Sequence, residues 1–539
     1  MNYTALSFVK KKITYEEMHE KIELYAKSLH KYGIHKGDKV AVCVVNTIES
    51  IYLLYALDKI GATVIGLSPL NNEYKMKRDL EMTNPKFVIT VDMMYSKIKS
   101  SENLLDFSTI IYSPIESLNN PFLKTVYNVK QIHDKNRTFF SNNELKKIIK
   151  TGENSVYNPC GYDKGFVSDI MFTGGSSGIH KGVQLNGNGL NCVVKALDDV
   201  LLLEPGMTHL GNIPFGHMAF GRLVLHYALC NNLEYALTLK MLPNDFYDEM
   251  VRTEAHGAMG GPIHWESLIN NSNIKKGSLS NLIQPLSGGE LFKPEKRKMA
   301  NEVLKNAGCN YVIGDGLGLT EMWAPTHVCV GGKNTPGTIG YPIPFVNTKI
   351  VNPYDFSEVE PGETGLLLVN GPGMMIGYHN NDEENKKVFI TDENNTKWYN
   401  TGDLAKQSLE VSNEYIYIGR KKRNFVCGVD NIYPEQIESL LLELPEIREV
   451  VITKIPDEEK QYLPKYHISL NSEVCDTKSL ELKIEKLISN TLGESALPGY
   501  IEYSYKPLPR TDNGKLNATL LETMDLEKFN SNKLIKLKK

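Results

Sequence analysis

The sequence predicts an α/β chain of more than one domain, and three observations carry that prediction. Its 539 residues exceed what a single core accommodates, so two to four domains or subdomains are expected. Early in the chain, helix-spaced apolar segments alternate with short buried-strand runs, the order of βαβ units. Between 337 and 418 the texture changes to short strands broken by Gly/Pro turns, which predicts a small antiparallel barrel or sandwich.

Each element follows from local pattern. Residues 15–32 place apolar side chains at helical spacing, and Gly37-Asp38 then leads into an apolar strand run at 40–45. A second helix is predicted over 49–60 and a strand over 63–67. Val88-Ile89-Thr90-Val91 and Thr109-Ile110-Ile111-Tyr112 continue the alternation, giving a largely parallel sheet with helices on both faces. Pro361-Gly362-Glu363-Thr364-Gly365 is a turn, and Leu366-Leu367-Leu368-Val369 the strand it feeds. The stretch 380–397 is the most polar of the chain and is predicted to be an exposed loop. Gly419-Arg420-Lys421-Lys422-Arg423 marks a domain boundary. After it comes a unit of α+β texture with a helix over 434–444. There are no internal repeats.

Composition narrows the function. With 41% hydrophobic and 23% charged residues and a net charge of −4, the chain is an ordinary globular protein, and its acidic balance argues against a nucleic-acid partner. Eight scattered cysteines form no C-x-x-C pair, which fits reduced thiols and a cytoplasmic location. The N-terminus, which begins without a leader segment, has no apolar h-region, and no run approaches the ~18 apolar residues of a membrane span. The basic stretch 532–539 reads either as a solvated helix end or as a membrane or partner contact.

The most informative segment follows Ile170, Met171 and Phe172. Thr173-Gly174-Gly175-Ser176-Ser177-Gly178 runs on to Lys181-Gly182. Small residues let the backbone approach an anion, so amides, hydroxyls and a lysine converge on phosphate oxygens; the alternative is a flexible surface loop. A Walker loop is excluded, because Ile179 and His180 separate Gly178 from the lysine.

Seven further segments accompany it. They are Pro214-Phe215-Gly216-His217, Ser287-Gly288-Gly289, Gly316-Leu317-Gly318-Leu319-Thr320-Glu321-Met322, Gly337-Thr338-Ile339-Gly340, the stretch 398–404, Gly419-Arg420, and Pro509-Arg510-Thr511-Asp512-Asn513-Gly514-Lys515. In this order the chain resembles, over 13–521, the acyl-adenylate-forming (AMP-binding) superfamily of acyl-CoA synthetases, firefly-type luciferases and peptide-synthetase adenylation domains. The resemblance implies an N-terminal AMP-binding domain over 1–418, built of two βα sheets plus a small β-barrel at about 325–418. A smaller, mobile α+β C-terminal domain over 419–539 would follow it. It also implies ATP- and Mg²⁺-dependent activation of a carboxylic acid, with pyrophosphate release and transfer to the thiol of CoA or of a carrier protein.

The same resemblance assigns roles. Thr173 to Gly178 (with Gly174, Gly175, Ser176 and Ser177) and Lys181 would hold the β/γ-phosphates. Thr320 and Glu321 would sit at the α-phosphate, with Glu321 and Thr173 at Mg²⁺. Gly288, Gly289, Glu290, Asp315, Gly316, Leu317 and Gly318 would line the nucleotide. Asp403 would accept from both ribose hydroxyls, and Arg420 would be either a ribose or phosphate donor or a solvated hinge residue. Lys515 would be the adenylation lysine, and His217 would order the carboxylate and the acyl pocket. The segment after His217 holds no Asp to pair a substrate ammonium, which disfavours an amino acid.

Four positions depart from the family pattern. Leu317 replaces an adenine-stacking aromatic, and His180 replaces a proline before Lys181. Arg423 replaces an acid in the hinge. Val429 stands where a glycine would let the pantetheine arm pass, a role Gly428 is placed to take. A degenerate nucleotide-binding protein is the rival reading; joint retention of Lys181, Glu321, Asp403 and Lys515 opposes it.

Overall fold

The helix Tyr15–Tyr32 shows how local chemistry sets the elements. Thr14 accepts the backbone N–H of Glu17, and Glu17 accepts that of Thr14, a capping box that satisfies two otherwise orphaned donors. Gly33 closes the other end at φ 117°, a left-handed backbone that glycine adopts without penalty. Met18, Ile22, Ala26 and Leu29 form the buried stripe. The structure is a computed structural model. It describes residues 3–102, 104–114, 144–161, 163–174, 180–289, 292, 294–329, 338–428, 430–471, 477–511 and 515–530. Gly175, Ser176, Ser177, Gly178, Glu290, Gly337, Val429, Asp512, Asn513 and Gly514 lie outside the described residues.

Two largely parallel sheets form the first part of the chain. One orders its strands Gly377–Tyr378, His180–Leu185, Asp169–Gly174, Thr63–Gly66, Lys39–Cys43, Phe87–Val91 and Ser108–Tyr112. Its last five pair in parallel, and the first two are antiparallel additions. The other runs Gln284–Ser287, Gly257–Gly260, Thr208–Gly211, Glu234–Leu237, Thr4–Phe8 and Lys11–Thr14, parallel except for the last pair. Helices such as Ile48–Ile60 and Ala219–Cys230 pack into one core with strands of both sheets.

An eight-stranded antiparallel sheet follows: Asp315–Leu319, Ala324–Cys329, Thr338–Pro342, Tyr415–Arg420, Lys397–Gln407, Gly365–Asn370 and Asn347–Val351, with Phe389–Thr391 also on Lys397–Gln407. Two sequence expectations are corrected here. The antiparallel region starts at Asp315, earlier than 325, and among the described residues no pairing closes its path into a barrel. The polar stretch 380–397 is not simply a loop. It holds the helix Asp382–Val388, capped by Asn381, and the strand Phe389–Thr391.

The last sheet contains Asp430–Ile432, Phe425–Cys427, Gln461–Leu470, Ile447–Asp457 and Tyr500–Ser504. The helices Pro434–Leu441 and Thr477–Leu492 pack with it around its own apolar cluster, which includes Ile437, Ile452, Tyr466, Ile468 and Ile484. No helix among the described residues is long and apolar enough to cross a membrane.

Candidate active site

The glycine-rich segment lies between two antiparallel strands, Asp169–Gly174 and His180–Leu185. Thr173 pairs directly with Lys181, and Gly174 with His180. The chain therefore leaves the loop along a strand, not into the helix that follows a Walker loop. Lys181 Nζ lies 2.5 Å from Glu384 Oε2 and 4.7 Å from the ring centroid of Tyr378. The Tyr378 hydroxyl donates to Glu321 Oε1 at 2.8 Å and lies 3.3 Å from the Tyr399 hydroxyl. Burial and the Glu321 charge hold Tyr378 well above the usual phenol range, so it stays a donor.

Glu321 is set by an unusual turn. Thr320–Met322 forms one 3₁₀ turn between the strands Asp315–Leu319 and Ala324–Cys329. Trp323 and Ala324 then adopt left-handed φ values of 56° and 84°, a conformation that costs non-glycine residues free energy. Trp323, fully buried, anchors the turn by donating its indole N–H to Asn186 O at 2.9 Å. The Met375 amide donates to the Glu321 carbonyl at 2.7 Å.

Asp403 and Arg420 are cross-strand partners. Asp403 is 0% exposed, and Arg420 Nε lies 2.8 Å from its Oδ1. That ion pair is off the hydrogen-bond line, and neither carboxylate oxygen has a hydrogen-bond partner among the described residues. Burial pushes the Asp403 carboxyl up to about 6, Arg420 opposing it, with Glu435, Glu321 and Lys515 also acting on it. A buried acceptor of this kind suits a pair of hydroxyl donors. The turn is fixed by Thr401, whose hydroxyl donates to Leu367 O at 2.8 Å and accepts the Asp403 N–H at 3.0 Å.

Lys515 reaches this region from the far end of the sequence, its Nζ donating to Gly289 O at 2.6 Å. Gly289 has φ +91°, and a Cβ added at Gly288 or Gly289 would meet nothing within 4 Å, so open space lies beside this backbone. His217 is half-buried, and its Nδ1 is enclosed without a hydrogen-bond partner among the described residues. Burial pushes it down to about 4, leaving the imidazole neutral at pH 7. Close packing seats it: a Cβ on Gly66 would come 2.8 Å from His217 Cα.

Other sequence-predicted residues find different partners. The Asp315 carboxylate is engaged by Arg297 at 3.2 Å and accepts the Gly316 N–H at 3.0 Å. Gly316 serves the hairpin itself, since a Cβ there would lie 2.8 Å from His327 O. The Leu317 carbonyl accepts from Thr326 Oγ1 at 3.2 Å. His180 lies 3.4 Å from the buried Asp79 carboxylate, which gives that departure a partner. Arg423 pairs with Glu435 at 3.0 Å and Glu438 at 2.5 Å, which explains a cation where an acid was expected. Gly428 has φ +68° and open space at its Cβ position.

Glu384, Tyr378 and Tyr399 are the contributors that sequence reasoning missed. The one available signal was the tyrosine in Gly377-Tyr378, which forms the short edge strand beside His180–Leu185. Glu321 belongs to no preformed group of three metal-capable side chains among the described residues. A divalent ion there would complete its shell with phosphate oxygens and water, the coordination Mg²⁺ prefers. The cluster that does exist, His467, Glu502 and Asp525, has the Lys465 ammonium 2.6 Å from both carboxylates.

A family model described as AMP-binding enzyme matches residues 1–379. A long-chain-fatty-acid–CoA ligase of Bacillus subtilis is 28% identical over 535 residues, covering 96% of this chain and 91% of its own. The luciferin 4-monooxygenase of Photinus pyralis is 24% identical over 513 residues, covering 94% and 88%. Among solved structures, ATP-bound MatB from Rhodopseudomonas palustris superimposes with a TM-score of 0.83 at 19% identity, covering 97% and 96%. The o-succinylbenzoate CoA synthetase of Bacillus subtilis gives 0.77 at 20%, covering 97% and 95%.

Proposed function

Because the chain belongs to the AMP-binding enzyme family, we propose that it joins a carboxylic acid to ATP as an acyl-adenylate, releases pyrophosphate, and passes the acyl group to a thiol, that of CoA. The observation that carries this reading is the placement of Lys515, whose Nζ meets Gly289 O while its charge acts on Asp403. An adenylation lysine must stand between the acid and the α-phosphate, next to the ribose acceptor. We divide the chain at 418/419, so that Lys515 belongs to a second domain, 419–539, and acts across the boundary.

Two anions must meet, so the protein's part is positioning and charge neutralisation. Lys181 and the 173–178 segment bind the leaving pyrophosphate, and Asp403 fixes the ribose. Lys515 neutralises the α-phosphate and the attacking carboxylate. Glu321 and Thr173 would hold Mg²⁺, which would supply charge neutralisation at the phosphates. Neutral His217 orders the acid beside the space at Gly288 and Gly289. The long-chain name of the Bacillus subtilis relative makes fatty acids the first acids to try. A carrier-protein thiol is the alternative acceptor.

The test is ATP–pyrophosphate exchange across a panel of aliphatic and aromatic acids, with CoA or a holo carrier protein then added and the thioester sought by mass. At least one acid should stimulate exchange, and Lys515→Ala should lower it about 10²–10³-fold. Exchange that no acid stimulates sinks the proposal.

A further inference from the structure

We propose that Glu384 competes with the nucleotide's phosphates for Lys181, weakening ATP and pyrophosphate binding and hastening pyrophosphate departure. This rests on the reading of Lys181 as the phosphate-binding lysine.

The geometry fixes both partners of the contact. Lys181 and Glu384 side chains are only 13% and 25% exposed, and the ammonium is held between the carboxylate at 2.5 Å and the face of Tyr378. Glu384 does not sit there by chance rotamer. Its helix, Asp382–Val388, is clamped to the strand bearing Tyr378 by Asn385, which accepts from Tyr378 N at 2.7 Å and donates to Tyr378 O at 3.0 Å. Lys181 and Lys387 together hold the Glu384 carboxyl down to about 2, so it is an anion at every working pH.

An ammonium can bridge two anions, as Lys465 bridges Glu502 and Asp525, but it then divides one charge between them while the anions, about 4 Å apart, repel each other. Phosphate and carboxylate therefore compete for the one charge of Lys181. A second partner is already in place. Lys387 Nζ lies 3.0 Å from Glu384 Oε1, on the same helix and largely exposed. Glu384 can give up Lys181 and stay paired, which keeps displacement inexpensive and reversible.

The experiment is calorimetric titration of inorganic pyrophosphate and of ATP, together with exchange kinetics, on the wild type, Glu384→Gln, Lys387→Ala, the double variant and Lys181→Ala. Glu384→Gln should tighten pyrophosphate binding and lower the KM for ATP, each about 3–10-fold, without raising kcat. Lys387→Ala should weaken both by strengthening the hold of Glu384 on Lys181, and should do nothing once Glu384 is glutamine. That loss of effect is a signature that helix stabilisation alone does not produce. Unchanged or weaker pyrophosphate binding in a folded Glu384→Gln overturns the inference while leaving the ATP-site reading intact. Undiminished pyrophosphate binding in Lys181→Ala overturns the reading of Lys181, and the inference with it.

Discussion

Replacing Asp403 by asparagine separates stability from function. The carboxyl is 0% exposed, and its ionisation is pushed up from 3.8 to about 6 by burial, even with Arg420 at 2.8 Å. A raised acid pKa means the folded state prefers the neutral form, so ionisation of Asp403 destabilises the fold progressively as pH rises from about 3.8 and fully above about 6. That rise corresponds to roughly 3 kcal/mol at pH 7.5, about half that at pH 5, and little at pH 4. Arg420, with a side chain 47% exposed, can be solvated once its partner is neutral. Asp403→Asn should therefore raise the thermal midpoint at pH 7.5, with the gain shrinking as pH falls towards 4. The same variant should raise the KM for ATP at least tenfold, since asparagine offers one acceptor oxygen where two hydroxyls need holding. The assay pairs thermal scans at pH 7.5, 5 and 4 with exchange kinetics. A lowered midpoint at pH 7.5, or a gain independent of pH, refutes the burial argument; an unchanged KM refutes the ribose role.

Two further expectations follow from buried charge. Arg423→Ala leaves Glu438, which also accepts the Ile452 N–H at 2.8 Å, without its guanidinium, and loss of one partner of such a pair costs about 3–5 kcal/mol; an unshifted thermal midpoint would contradict it. His327 is 0% exposed, pushed down to about 3 by burial, and held between the Thr326 and Thr348 hydroxyls. Its depressed pKa contributes stability that is complete above pH 6.5 and lost as pH falls towards 3, so His327→Gln should flatten the acid limb of a midpoint-versus-pH curve. A limb that keeps its slope argues against this.

What the sequence made legible were features whose cause is local. The helix Tyr15–Tyr32 was readable because period and boundary both lie within its own residues, and the parallel strands because apolar runs between turns admit few other readings. The strand Asp315–Leu319 was not, since Asp-Gly-Leu-Gly-Leu has weak strand propensity and pairs only because its glycines let the backbone of the neighbouring strand come close. Glu384 was hidden for a different reason. It sits in a seven-residue helix too short to show a period, and its meaning comes from a lysine 203 residues away. Lys515, Glu321 and Asp403 were proposed through motif order alone; spacing gives no hint that the charges of Glu321 and Lys515 act on Asp403.

That mutual influence has an electrostatic consequence. Around a site proposed for a polyanion the protein gathers acids, Glu321, Asp403, Glu384 and Glu435, against Lys181, Arg420, Lys515 and Arg423. Lys181, Arg420 and Arg423 are each already paired with one of these acids, and Lys515 donates to a carbonyl. A binding site left strongly positive would hold pyrophosphate as firmly as ATP and stall after one turnover. Pre-pairing lowers the affinity for any phosphate while leaving the geometry intact, and a divalent ion arriving with the nucleotide then offsets the acids. If Glu321 holds Mg²⁺ as proposed, it would gain a cation only when the metal accompanies ATP, and the site would favour the metal-bound nucleotide over the free one.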